Sequence, residues 1–148
     1  MREKILIAVV ALSILTVGAI ATASAQMAGT RMSAQIPFDF IVGERTLRAG
    51  TYELKRLGND PYLLLIQDVD DPRDAVIFNT RLDDRDSIRQ SALVFHRYGD
   101  TYFLAEVMSQ YEGIARELQP SEQERSMERD LASNNKARQV ESVPLAAN

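Results

Sequence analysis

Cysteine is absent from the 148 residues, and histidine occurs once, as His96. No disulfide can staple the fold, no thiolate can hold a metal, and no lipidated cysteine can anchor the chain. A single imidazole excludes paired-histidine metal sites, and any Ser-His-Asp arrangement would have to use His96. Glycine-rich phosphate loops, nucleophile elbows and His-Glu-x-x-His helices are missing as well. Positive charge is also short, with 17 Lys+Arg against 21 Asp+Glu and a net charge of −4. That balance repels a phosphate backbone, so nucleic acid is not an expected partner. No internal repeat occurs.

The first feature present is an export signal at Met1–Ala25. Arg2 and Lys4 give a positive start, Ile5–Ala21 is apolar and uncharged, and Ala23-Ser24-Ala25 supplies the small-x-small cleavage site. Gln26 is then the expected new N-terminus. The alternative is an uncleaved anchor, the one way in which the chain would meet a membrane. Against it, Ile5–Ala21 is at the short edge of what spans a bilayer, is interrupted by Ser13, Thr16 and Gly18, and is followed by no basic cluster. Arg2, Glu3 and Lys4 leave with the signal, so Gln26–Asn148 holds 15 Lys+Arg against 20 Asp+Glu, net −5, in 123 residues. That length suits one domain with a single core.

After a flexible stretch over 26–31, the pattern is that of strands. Met32, Ala34, Ile36, Phe38, Phe40 and Val42 alternate with polar neighbours, which predicts one strand over Met32–Val42 with one buried face. Pro37 cannot donate to a ladder, so an edge or a bulge is expected there. Thr51–Leu57, Tyr62–Gln67 and Ala75–Thr80 read as further strands, with Tyr62–Gln67 apolar enough to be central. Gly58-Asn59-Asp60-Pro61 and Asp68–Asp74 read as turns, and Leu82–Gln90 as a loop. Ser91–Met108 is the clearest hairpin, turning at Gly99-Asp100 in the manner of a type II′ turn. Its register pairs Tyr98 with Thr101, Arg97 with Tyr102, His96 with Phe103 and Phe95 with Leu104. Glu106 then falls opposite Leu93. Large apolar groups on both faces place this hairpin inside the fold.

Ser121 and Glu124 form a capping box, which predicts a helix over 121–137 carrying a thin apolar stripe of Met127 and Leu131. From Asn134 onward no period remains, and 138–148 reads as a disordered tail. The expected fold is therefore mainly β. It is a small antiparallel barrel or sandwich of about six strands, spanning 32–118, with one C-terminal α-helix.

The pieces Ile36-Pro37-Phe38-Asp39-Phe40, Val42-Gly43, Leu47-Arg48-Ala49-Gly50-Thr51-Tyr52 and Leu93–Leu104 occur in order, followed by Arg116-Glu117-Leu118. In this the chain resembles small exported proteins encoded in acidobacterial genomes, over most of Ile36–Leu131. Those proteins often have Leu-Pro-Ala-Gly where this chain has Leu47-Arg48-Ala49-Gly50. The resemblance implies export and a β-domain, and it assigns no functional residue.

The chemistry-bearing residues read mainly as structural. His96 faces Phe103, so an aromatic setting with one nitrogen bonded is expected. Asp68, Asp70, Asp71 and Asp74 form the densest acidic cluster, but as an EF-hand it fails at Pro72, Arg73 and Asn79, so it reads as a solvated turn. Asp83, Asp84 and Asp86 with Arg85 form a second acidic stretch, expected at the opposite end of the sheet. Separation of the two stretches removes support for a glycosidase-like carboxylate pair. Arg97 opposite Tyr102 reads as a stacking contact. Arg116 and Glu117 read as local ion pairing near the end that holds Asp83–Asp86. Arg125, Glu128 and Arg129 either support their own helix or face a partner.

Three functions fit. The first is a non-enzymatic exported domain with a binding or structural role in the periplasm or cell envelope, or outside the cell, its ligand unidentified. The second is a carrier of a small apolar ligand, with Phe38, Phe40, Tyr52, Phe95 and Phe103 lining a barrel. The third is a carboxylate-using hydrolase of unfamiliar type. No catalytic, cofactor-binding or metal-binding residue, no cofactor and no oligomeric state is assigned from the sequence.

Overall fold

A computed structural model describes residues 31–84 and 87–147. The segment read as an export signal lies outside these residues, as do Arg85 and Asp86 of the second acidic stretch. In chain order the elements are β1 (Met32–Ile36), β2 (Phe40–Val42), β3 (Arg45–Leu47), β4 (Gly50–Arg56), β5 (Leu63–Asp68) and β6 (Ala75–Asp84). They continue with β7 (Ala92–Tyr98), β8 (Thr101–Ser109), β9 (Ile114–Leu118), α1 (Glu122–Ser133), β10 (Gln139–Pro144) and β11 (Ala146–Ala147). The protein is mainly β, with one helix near its C-terminal end among the described residues. No helix among those residues is long and apolar enough to cross a membrane.

The strands form one sheet in the order β10-β7-β8-β9-β6-β5-β4-β1-β11, with β2 attached to β8 and β3 to β2. Every ladder is antiparallel except the single β2–β8 bridge at Ile41 and Phe103. The path has two ends, so the sheet is open and not a closed barrel, and among the described residues it holds eleven strands where about six were expected. The two ends are successive pieces of the C-terminal chain. β10 pairs with β7, Leu145 donates its N–H to Ser91 O at 2.9 Å, and β11 pairs with β1. Val143 and Leu145 are buried. The tail expected over 138–148 therefore forms sheet over Gln139–Pro144 and Ala146–Ala147, seated by the buried side chains of Val143 and Leu145.

The other additions have equally local causes. Pro37 interrupts the run Met32–Val42, and Asp39 accepts the Ala49 N–H at 2.8 Å, so one expected strand becomes β1 and β2. β6 continues through Leu82 to Asp84, and β9 forms opposite it. Polar composition hid the extension of β6. The helix ends at Ser133 and not at 137, capped by Asn134.

Hairpin β7–β8 keeps the expected register from Tyr98–Thr101 to Phe95–Leu104. Gly99 takes φ 64° and no positive φ falls on Asp100, as a type II′ turn requires. Beyond Phe95 the register shifts, so that Glu106 faces Val94 and Val107 faces Leu93. Ala105 is the extra residue of this bulge. The unshifted register would have driven Glu106 inward beside Leu93, which is fully buried. The bulge sends Val107 there instead and sets Glu106 opposite Val94, at the cost of one irregular pair.

One cluster of buried side chains draws on β1, β4, β5 and β6 together with β7, β8 and β10. A second and smaller cluster, Ile41, Tyr98 and Phe103, lies on the outer face of the hairpin under Met127 and Leu131 of α1. The hairpin is thus covered on both sides, as its two apolar faces predict. The thin stripe of the helix is what covers the outer one.

Candidate binding surface

α1 covers only the half of the sheet around β7 and β8. On the other half, alternation turns Tyr52, Leu54, Leu64, Ile66, Val76 and Phe78 into the core, and the residues between them outward. The ladder registers then set Leu57 and Leu63 beside Asn79, Lys55 beside Leu65 and Ile77, and Glu53 beside Gln67 and Ala75. The outer face of β4–β5–β6 therefore carries Leu57, Leu63, Leu65 and Ile77 in adjoining positions. Ile77 is 59% exposed, and the three leucines are half-buried. The run Tyr62–Gln67 looked central because both of its faces are apolar. Here only one face is covered among the described residues.

This patch opens into a groove of about 650 Å³ where β6 changes partners. Asn79 is the last residue of β6 opposite β5, and Thr80 is the first opposite β9. The two neighbours splay apart at that point, and Thr80 closes the floor by donating from N and Oγ1 to Tyr62 O at 2.8 and 2.9 Å. Tyr62, Ile77 and Arg81 line the groove with Gly43 of the β2–β3 turn and Leu118-Gln119 at the end of β9. Tyr62 is 47% exposed. The surface thus offers one aromatic face, one aliphatic patch and one guanidinium, that of Arg81, set opposite Glu117 across the β6–β9 ladder.

His96 sits on the outer face, opposite Phe103 and beside Val140 of β10. Its Nδ1 lies 2.7 Å from Glu124 Oε1, so one nitrogen is bonded in an aromatic setting as the sequence implied. Glu124 is a correction to the capping box. Ser121 Oγ does accept the Glu124 N–H, at 3.2 Å, but the Glu124 carboxylate turns to the sheet and is buried. The Tyr98 hydroxyl donates to the same oxygen at 3.4 Å. Burial and the nearby carboxylates of Glu124 and Glu128 raise the Tyr98 pKa above its ordinary value. The signal for this contact was in the spacing: Glu124, Met127 and Leu131 share one helix face.

The acidic turn at Asp68 is built by its own carboxylates. Asp68 accepts from the N–H groups of Asp70 and Asp71 at 2.7 and 3.2 Å, Asp71 accepts from that of Arg73 at 3.1 Å, and Asp74 pairs with Arg45 at 3.3 Å. Asp83 and Asp84 stand at the other end of β6, opposite Ala115 and Ile114. Ten residues of strand put about 30 Å between the two acidic groups, so they do not converge.

Arg97 stacks on Tyr102 with Cζ 5.3 Å from the ring centre. Arg116 faces inward beside Val107 and is buried, with Nη1 2.7 Å from Glu112 across the β8–β9 turn. Its Nε has no hydrogen-bond partner among the described residues. On the helix, Arg125 and Arg129 both reach Glu122, at 2.7 and 3.4 Å, and their hydrogen bonds lower the Glu122 pKa. Glu128 pairs with Arg138 at 2.6 Å and not with Arg125.

Of the five aromatics expected to line an interior, Phe103 lies on the opposite face, under the helix. Phe40 packs edge-on against Tyr52 and Phe95 at 5.1 and 5.5 Å, and Phe38 stacks on Tyr102 at 3.9 Å. These rings fill space against one another. No protein-family model, curated protein or solved structure is significantly similar to the chain.

Proposed function

We propose that this chain is an exported, non-enzymatic β-domain that works by binding in the periplasm or cell envelope, and that it binds through the outer face of β4–β5–β6. The observation that carries this reading is the contiguous apolar patch of Leu57, Leu63, Leu65 and Ile77, uncovered among the described residues and continuous with the Tyr62 groove. Contiguous exposed apolar surface on a small domain marks interaction sites, whereas scattered apolar residues do not. A sandwich-like folding of the sheet belongs to the same reading. It is supported by the single core drawn from both halves and by β6, which pairs with β5 over its first half and with β9 over its second.

Mutual packing of Phe38, Phe40, Tyr52, Phe95 and Tyr102 favours a surface site over the carriage of an apolar ligand inside. The separation of the acidic groups along β6 favours binding over carboxylate hydrolysis, for which the two groups need to lie within about 5–9.5 Å. Chemical cross-linking in intact cells, followed by fractionation and mass spectrometry, tests the proposal. Recovery in the exported fraction as a cross-linked adduct is the expected result. Recovery as an uncross-linked monomer, or in the cytosol, contradicts it.

A further inference from the structure

We infer that the occupant of the β4–β5–β6 face is a second copy of this chain, packed sheet on sheet about a two-fold axis. This rests on the binding reading above and names its partner. The face is charge-balanced and self-complementary. Glu53 and Lys55 project outward from β4 in neighbouring rows, half-buried, and neither has an ion-pair partner among the described residues. An axis crossing the strands between these rows places Lys55 of each copy opposite Glu53 of the other, twice over. The same axis sets Ile77, the most exposed member of the patch, against the small Ala75, so that the projecting side chain meets a hollow. Stacked sheets lie about 10 Å apart, a gap that an extended lysine and glutamate bridge together. Isologous contacts of this kind are the commonest in soluble oligomers, and an unpaired +/− couple on one apolar face is what such a contact uses.

Sedimentation equilibrium of the chain recovered from the cell is the test, with circular dichroism confirming that each variant keeps its sheet. A concentration-dependent dimer is expected. Ile77→Lys should raise its dissociation constant about tenfold or more, as truncating or charging a central contact does. Lys55→Glu should weaken it by setting carboxylate against carboxylate, and the double exchange Glu53→Lys/Lys55→Glu should restore it. A chain monomeric up to near-millimolar concentration overturns the inference, as does self-association that ignores all three variants. If the chain is monomeric but a cross-linker at position 77 still captures a different envelope component, the second copy is excluded and the binding reading stands. If position 77 captures nothing, both fail.

Discussion

Replacing Glu124 by alanine should loosen the helix from the sheet without unfolding the sheet. The Glu124 side chain is 5% exposed, with Oε1 2.7 Å from His96 Nδ1 and 3.4 Å from the Tyr98 hydroxyl. A hydrogen bond to a carboxylate contributes about 1.5–3 kcal/mol. An acidic residue in the first turn of a helix adds about 0.3–1 kcal/mol through the helix dipole. The loss of both, about 2–4 kcal/mol, falls on the docking equilibrium, because the rest of the contact is the half-buried Met127 and Leu131 and the partly exposed Glu128–Arg138 pair beside β10. At tenfold per 1.4 kcal/mol, undocking should become about 30- to 1000-fold more favourable. Native-state hydrogen exchange reads this directly. Amides of Glu122–Ser133 should lose protection by that factor, up to the limit set by a fully undocked helix, while β7 and β8 keep theirs. Glu124→Gln retains an oxygen toward His96 and should lose much less. Unchanged protection in the helix, or a parallel loss across β7 and β8, would refute the reasoning.

The Tyr52 hydroxyl donates to Arg48 O at 2.8 Å, and burial with the nearby carboxylates of Asp68 and Asp74 pushes its pKa up to about 12 from 10.0. The folded chain holds this proton where the unfolded chain releases it, so the contribution is complete below pH 10 and is lost as pH rises toward 12. Tyr52→Phe should flatten that part of the stability–pH curve in urea melts, and an unchanged alkaline slope would count against it. Glu112→Ala removes the partner of the buried Arg116 guanidinium and should cost about 1–3 kcal/mol in chemical denaturation. Adding Arg116→Met should recover part of that loss, because an apolar side chain there leaves no buried charge. Ending the chain at Arg138 removes β10 and β11 with Val143 and Leu145. Burial of those two side chains alone is worth about 3–6 kcal/mol, against a typical total of about 5–15 kcal/mol. The truncated chain should therefore lose its cooperative melt, whereas removal of a disordered tail would leave the melt unchanged.

Strong periodicity was readable and weak periodicity was not. The alternation from Met32 to Ile36 gives β1, and Gly99-Asp100 with its flanking runs gives the hairpin and its register as far as Phe95. What broke the reading was an event with no local signature. The bulge at Ala105 exists because Leu93 and Val107 need each other in the core, a demand set by the far side of the sheet. β9, β10 and β11 were hidden for a related reason. β9 and β11 are too short to show a period, and β10 and β11 are held by partners distant in the chain, such as Leu93 opposite Val143 and Met32 opposite Ala147. The Glu124–His96 contact joins residues 28 apart, and a Ser-x-x-Glu start reads as a cap whether or not the carboxylate turns inward. The candidate surface was half legible: the apolar run Leu63–Ile66 was plain, but which of its faces would stay uncovered depended on where α1 docked.

Site-specific photo-cross-linking from position 77 in intact cells tests most directly that the chain works by binding through the β4–β5–β6 face. A cross-linker at Ser126, exposed on the helix, serves as the control. Adducts from position 77 that are absent from position 126 and lost in a Leu65→Glu background are the predicted result. Equal labelling from both positions, or none from position 77, would contradict it.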